Sequence, residues 1–364
     1  EYKTQNRGGV GQKSAGTRDQ DFLEHMFVAT NHQYMMFFTQ KGKCFWMRVY
    51  EIPEGSKTAK GRAIQNLVNI ESDDKVKAFI CTQDLKDKDY INSHNLIMVT
   101  KKGQVKKTSL EKYSKPRVNG VAAITIKEGD ELLEAKLTNG ESQIILAVKS
   151  GKLVRFEETK TRPMGRTASG VRGITLKDDT DEVIGMVTVD KDDINDSQIL
   201  VVTENGYGKR TKLVDEDGED VYRITNRGGK GVKTLNITEK TGKLISINAV
   251  TDADDLMIIN KSGLTIRMAI EDLRVMGRAT QGVKLINLKG KDSIAAVTKV
   301  MKDDVAEVVV DEDGNVIETE AIERIKPVLE ILEDEGVEED EEEDDVEEDE
   351  DDEASEGDDE DDEV

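Results

Sequence analysis

Pairs of cations recur beside a glycine through most of this 364-residue chain. They are Lys60 and Arg62, Lys115 and Arg117, Arg166 and Arg172, Arg227 and Lys230, and Arg278 and Lys284. The glycines they accompany, Gly61, Gly120, Gly170, Gly231 and Gly282, lie 59, 50, 61 and 51 residues apart. The chemistry such a row offers is neutralisation of phosphate charge with release of counterions, which gives affinity without base reading. Glycines beside the cations let backbone N–H groups approach phosphate oxygens closely. Bending a duplex by 40–90° costs ~1–6 kcal/mol, which several such contacts can offset and one cannot.

A repeated element must position these residues, and a second glycine series shows which. YMMFFTQKG ends at Gly42, NLIMVTKKG at Gly103, QIILAVKSG at Gly151, QILVVTENG at Gly206 and DLMIINKSG at Gly263, at intervals of 61, 48, 55 and 57 residues. Runs such as 143–148 and 198–202 are rich in Ile, Val and Leu, too short for a buried helix, and bounded by turn signals. Their glycines supply the positive φ that two-residue hairpin turns require. The chain resumes as a second strand with basic residues, Lys106, Lys107, Lys152, Arg155, Lys209, Arg210 and Arg267. All of these but Lys152 join the candidate DNA contacts. After a loop and the cation-flanked glycine comes an alternating segment such as 171–176. A last apolar run (183–189, 244–250, 294–300) then completes about four strands per unit. One such sheet cannot bury both its faces, so the units are expected to stack into a propeller-like, all-β ring.

The net charge of −24 misleads unless it is divided. From Glu330 to Val364 there are 26 acidic residues and no Lys or Arg, which leaves the preceding residues near +2. Such a tail has too few apolar groups to offset the entropy of ordering it, so disorder is expected from 329 to 364. The folded part is expected over 1–328, a length ample for a core if the units pack as one ring. No signal peptide, lipidation motif or long apolar span is evident, and Cys44 and Cys81 are isolated thiols, which suits a reducing cytoplasm. The chain opens at Glu1 in mid-element, as a piece of a longer chain would.

Gln5-Asn6-Arg7-Gly8-Gly9-Val10-Gly11 resembles the seven-residue box, Gln-Arg-Arg-Gly-Gly-Lys-Gly, of the C-terminal domain of the DNA gyrase A protein. It departs from that box at Asn6 and Val10, which lowers its charge; a near-copy, Asn226-Arg227-Gly228-Gly229-Lys230-Gly231, keeps the lysine. Arg48-Val49-Tyr50-Glu51-Ile52-Pro53 with Lys60-Gly61-Arg62, Asn205 to Thr211, Gly170 to Ile174 and Gly277 to Val283 are similar to the same domain. The likeness covers roughly residues 1–300. It implies a six-bladed β-pinwheel of four-stranded blades that wraps double-stranded DNA around its rim, with the first blade incomplete because its opening hairpin precedes the box. A further turn at Asp313-Gly314 either fills the gap in that ring or is an ordered piece of the tail. Among the implied contacts are Gln5, Arg7, Gly8, Gly9 and Gly11. The resemblance further implies two partners, the gyrase B protein and a second copy of the gyrase A protein. Together they would form an A2B2 heterotetramer that uses ATP and magnesium, in a cytoplasmic, nucleoid-associated setting.

No nucleophile–base pair, phosphate-binding P-loop or carboxylate cluster is evident, and His25, His32 and His94 lack metal-ligand spacing. No catalytic activity is therefore expected of this chain by itself, and neither a cofactor nor a membrane partner. Tyr34, Phe45 and Trp46 are read as packing residues. Two other readings stand beside DNA wrapping in gyrase. One is the C-terminal domain of the corresponding topoisomerase IV protein, which lacks the box. The other is a propeller-like protein scaffold whose acidic tail binds basic partners.

Overall fold

The computed structural model describes residues 12–13, 29–55, 61–83, 85–262, 264–288, 292–301, 309–310 and 316–317. The box at 5–11, Lys60, Gly263, the Asp313-Gly314 turn and the acidic tail lie outside them. The chain divides into two units, 1–303 and 304–364. Within the second, β21 (Val309–Val310) pairs antiparallel with β22 (Val316–Ile317).

Within 1–303 the described residues form five four-stranded antiparallel sheets. After β1 (Gln12–Lys13), the first repeat holds β2 (Tyr34–Thr39), β3 (Lys43–Arg48) and β4 (Val76–Thr82). The second holds β5 (Asn95–Thr100), β6 (Gln104–Ser109), β7 (Val121–Ala122) and β8 (Leu132–Thr138). The third holds β9 (Gln143–Val148), β10 (Lys152–Glu157), β11 (Val171–Arg172) and β12 (Val183–Val189). The fourth holds β13 (Gln198–Thr203), β14 (Tyr207–Lys212), β15 (Val232–Lys233) and β16 (Leu244–Val250). The fifth holds β17 (Asp254–Asn260), β18 (Leu264–Ala269), β19 (Val283–Lys284) and β20 (Ile294–Met301).

The hairpins differ from the expected two-residue turns. Gly151 N donates to Val148 O at 3.0 Å across a three-residue Lys-Ser-Gly loop, and Gly42, Gly103 and Gly206 repeat the bond. Glycine sits at the third position, φ +79° to +84°, as a hairpin with a G1-type bulge requires.

A second correction concerns the sheets themselves. The repeat pattern predicts that each unit supplies its own four strands, but the two-residue strand after the cation-flanked glycine pairs with the preceding repeat's hairpin. Thus β7 completes the sheet of β3, β11 that of β6, β15 that of β10, and β19 that of β14. β1 completes the fifth sheet, Gln12 opposite Thr265. The exchange brings the two glycine series face to face. A Cβ on Gly151 would meet Leu235 O at 2.6 Å, and one on Gly231 would meet Leu153 O at 2.6 Å. The tight approach is sealed by Thr234 N donating to Gly151 O at 2.8 Å.

Continuous apolar runs at β5, β9 and β13 follow from stacking on both sides. Leu96 and Met98 pack toward the first repeat, Ile97 and Val99 toward the third. Ile144 and Leu146 share the latter cluster, while Ile145 and Ala147 join Ile199 and Val201 of the fourth. Leu200 and Val202 then pack on Leu256 and Ile258. The last strands, β4, β8, β12, β16 and β20, together line one axial cavity of about 660 Å³, so the sheets form a propeller-like ring. Among the described residues no helix is long and apolar enough to cross a membrane.

Candidate nucleic-acid interface

The candidate cations separate into two populations. On the second hairpin strand, the position four after the hairpin glycine holds Lys107, Arg155, Arg210 and Arg267, and each meets a carboxylate. Lys107 Nζ lies 2.8 Å from Glu158, Arg155 Nη1 2.8 Å from Asp220 and Arg267 Nε 2.7 Å from Asp255, while Arg210 pairs with Asp252. Arg155, 1% exposed, also donates to Gln143 Oε1 at 2.7 Å and to the carbonyls of Leu213 and Tyr222. Burial lowers its pKa, and Asp220 opposes that shift.

One residue earlier stand Lys106 and Lys209, both fully buried. Lys106 Nζ donates to the carbonyls of Ala123 and Arg166. Lys209 Nζ donates to Gly277 O at 2.5 Å and Thr280 Oγ1 at 3.0 Å. Burial, helped by the charges of Arg166 and Lys112, lowers the Lys106 pKa to about 7, and burial lowers that of Lys209 to about 8. Of the six strand cations expected as phosphate contacts, Lys106, Lys107, Arg155, Lys209 and Arg210 are buried and Arg267 is half-buried, and all six are bonded within the protein.

The loop cations form the second population. Arg62, Lys115, Arg117, Arg172, Arg227, Lys230, Arg278 and Lys284 are exposed, and Arg166 is half-buried. Lys115, Arg117 and Arg166 line one cleft of about 400 Å³ together with Lys112. Arg227 and Lys230 line a second, of about 420 Å³, with Arg223, Gly228, Gly229 and Gly231. Arg62 is placed differently from the rest. Gly61 is followed by a 3-10 turn at Ile64–Asn66 rather than by a donated strand.

Each loop leans on the one before it. Five residues past a glycine, an amide donates to the carbonyl two residues before the next glycine: Thr125 N to Ala168 O at 3.2 Å, Thr175 N to Gly229 O at 2.9 Å, Asn236 N to Thr280 O at 3.2 Å. Arg227 ties its own loop down, Nε to Lys160 O at 3.1 Å and Nη1 to Arg172 O at 3.2 Å.

A further rank of arginines lies beyond the residues nearest the glycines and was missed for that reason. Arg162, Arg223 and Arg274 stand eight residues before Gly170, Gly231 and Gly282, as Arg166, Arg227 and Arg278 stand four before, and all three are exposed. The residue after each forms a parallel bridge to a buried cation's backbone: Pro163 to Lys107, Ile224 to Arg155, Val275 to Arg210. Thr225 N donates to Arg155 O at 2.8 Å and Met276 N to Arg210 O at 2.9 Å. Lys233, two residues past Gly231, likewise matches Arg172 and Lys284. The constant offsets from the glycine were the available signal.

A family profile described as DNA gyrase C-terminal domain, beta-propeller, matches residues 1–30, 33–83, 94–139, 143–190, 197–251 and 254–301. The chain belongs to that family. Similar curated proteins include the DNA gyrase A protein of Staphylococcus aureus strain MRSA252, 39% identical over 326 residues, 88% of this chain and 35% of that protein. Its counterpart from strain NCTC 8325 is 40% identical over 302 residues, 83% of this chain and 33% of its own length. The chain therefore spans about a third of the length of the curated relatives it matches. Among solved structures, a DNA gyrase A C-terminal domain aligns with TM-score 0.65 at 22% identity, covering 82% of this chain and 93% of that one. The C-terminal domain of DNA topoisomerase IV aligns with TM-score 0.64 at 23% identity, covering 74% and 80%. At these identities the likeness shows the fold. In this gyrase-domain family member, each of the five longer matched segments carries one hairpin and one last strand, and segment 1–30 carries the β1 strand that closes the fifth sheet.

Proposed function

We propose that this chain is the DNA-wrapping domain of a gyrase A protein, folded over 1–328 as a six-bladed pinwheel and followed by a disordered acidic tail over 329–364. The observation that carries the reading is the set of loop cations, with an arginine eight and four residues before the glycine and a Lys or Arg two residues after it in the third, fourth and fifth repeats of a chain of this family. Arg62, Lys115, Arg117, Arg166, Arg172, Arg227, Lys230, Arg278 and Lys284 are the proposed phosphate contacts, joined by Arg162, Arg223, Arg274 and Lys233. Gln5, Arg7, Gly8, Gly9, Gly11 and Lys60 remain proposals on sequence grounds. Contacts of this kind fix the position of a duplex without reading its bases. A duplex bent along consecutive loops presents a crossing of one sign to the rest of the enzyme, so that ATP-driven strand passage introduces negative supercoils. Strand passage, the gyrase B protein, a second gyrase A copy in an A2B2 assembly, and a cytoplasmic, nucleoid-associated setting are proposals drawn from the longer relatives.

The test is topological. A nicked plasmid is ligated with the chain bound, and the linking number is read after its removal. A shift of constant sign that scales with bound protein is expected; no shift overturns wrapping. The 39–40% identity to gyrase A favours gyrase over topoisomerase IV, a distinction that the two structural likenesses do not make. A protein scaffold would bind duplex DNA weakly and without a steep salt dependence.

A further inference from the structure

We propose that Lys106 and Lys209 are positioning residues of the DNA interface, each clamping, from the sheet of one repeat, the arginine-bearing loop of the next. The inference rests on the DNA-wrapping reading and adds to it the residues that hold the contact loops in place. Lys209 lies on β14 of the fourth repeat, and its two acceptors, Gly277 O and Thr280 Oγ1, flank Arg278 in the fifth. Lys106 lies on β6 of the second repeat, and one of its acceptors is the main-chain carbonyl of Arg166 itself, in the third. Both clamps cross from one repeat to the next at the same offset from their hairpin glycines, Gly103 and Gly206.

The third repeat supplies an internal contrast. There the same position is Val154, which has no donor, and the loop it faces is fastened by the guanidinium of Arg227. In the fifth repeat, by comparison, Arg278 donates to no acceptor among the described residues. Beside the Lys209 clamp the arginine is thus left for a phosphate; beside the Lys106 clamp Arg166 makes one long bond, Nη1 to Lys112 O at 3.4 Å.

Stability alone does not account for these lysines. A buried ammonium loses solvation that carbonyl dipoles offset incompletely, and among the described residues no carboxylate pairs with either one. Their acceptors have alternatives. Gly277 and Thr280 are exposed residues that water can reach, and Ala123 O also accepts from Tyr113 Oη at 3.2 Å. An apolar side chain of like length would fill either site at lower cost, but it would remove the side-chain tether nearest the arginine and leave the loop to its main-chain bonds.

The experiment compares Lys209→Met, Thr280→Val, Arg278→Ala and the Lys209→Met/Arg278→Ala pair in the full chain, measuring duplex affinity at fixed salt alongside thermal unfolding. Lys209→Met is expected to unfold at the wild-type temperature or above it while binding duplex about fivefold more weakly, and Thr280→Val, on an exposed residue, to weaken binding about twofold. Arg278→Ala is expected to cost about tenfold in the wild-type background and under about twofold beside Lys209→Met, because the clamp acts through that arginine. Equal cost of Arg278→Ala in both backgrounds overturns the inference, as does wild-type affinity in both Lys209→Met and Thr280→Val. If Lys209→Met lowers the unfolding temperature, Thr280→Val decides by itself. A wild-type chain without salt-dependent duplex binding overturns the wrapping reading underneath.

Discussion

Arg155 and Arg227 carry the same guanidinium, and their surroundings give them opposite work. Arg155 is buried and committed to Asp220, Gln143 and two carbonyls, whereas Arg227, though it gives Nε and Nη1 to two carbonyls, stays exposed in a glycine-walled cleft. Arg227→Ala should therefore weaken binding alike across sequences and reduce the slope of log K against log salt by about 0.9. Arg155→Ala should cost about 3 kcal/mol of stability in denaturant titrations, since it strands buried acceptors. The buried lysines add a pH signature. The folded chain holds Lys106 and Lys209 near 7 and 8, below the ~10.4 of an unfolded lysine, so the unfolded state binds more protons between those limits. Their contribution to stability accordingly rises with pH from about 7 toward 10. Measured as denaturation midpoints, the advantage of Lys106→Met over wild type should be greatest near pH 6 and shrink by about pH 9.5. A constant difference across that range would remove the charge from the explanation.

At the scale of elements, the unit of construction is the join between neighbouring repeats rather than the repeat. Gly231 has φ +77° and its Cβ position lies 2.6 Å from Leu153 O, while Gly218 has φ +83° with nothing within 4 Å. Gly218→Ala should cost about 1 kcal/mol, from the left-handed conformation alone, and Gly231→Ala at least twice that by urea titration, because the donated strand must also back away. The pattern of strands was legible: short apolar runs, turn glycines and a near-constant period all mark hairpins and stacking. The exchange was not, because β11 keeps the same spacing whether it pairs with its own hairpin or its neighbour's. The fate of the strand cations was hidden for a related reason. For Lys107, Arg155 and Arg210 the partner is distant in sequence, Glu158, Asp220 and Asp252, whereas Arg267 meets Asp255 across its own hairpin. The exposed loop cations were readable because an offset from a glycine survives any pairing.

For the whole chain, the contrast between residues 1–303, with a net charge of +8, and an acidic tail of 26 carboxylates poses a competition. A tethered polyanion reaches a millimolar effective concentration near any basic surface within its span. Deleting 330–364 should tighten duplex binding at low salt, and the gain should fade as added salt screens both contacts. Equal affinities at low salt, by titration of a labelled duplex, would leave the tail a solubilising role. Ring closure carries a different consequence, in time rather than in energy. Strand β1 leaves a ribosome well before its partner β18, which begins about 250 residues later, Gln12 opposite Thr265. At ~5–20 residues per second, that first strand waits on the order of 10–50 s for its place, while the edge it will cover does not yet exist. The nascent ring thus spends most of its synthesis as an open arc, and its fifth sheet is completed by β1.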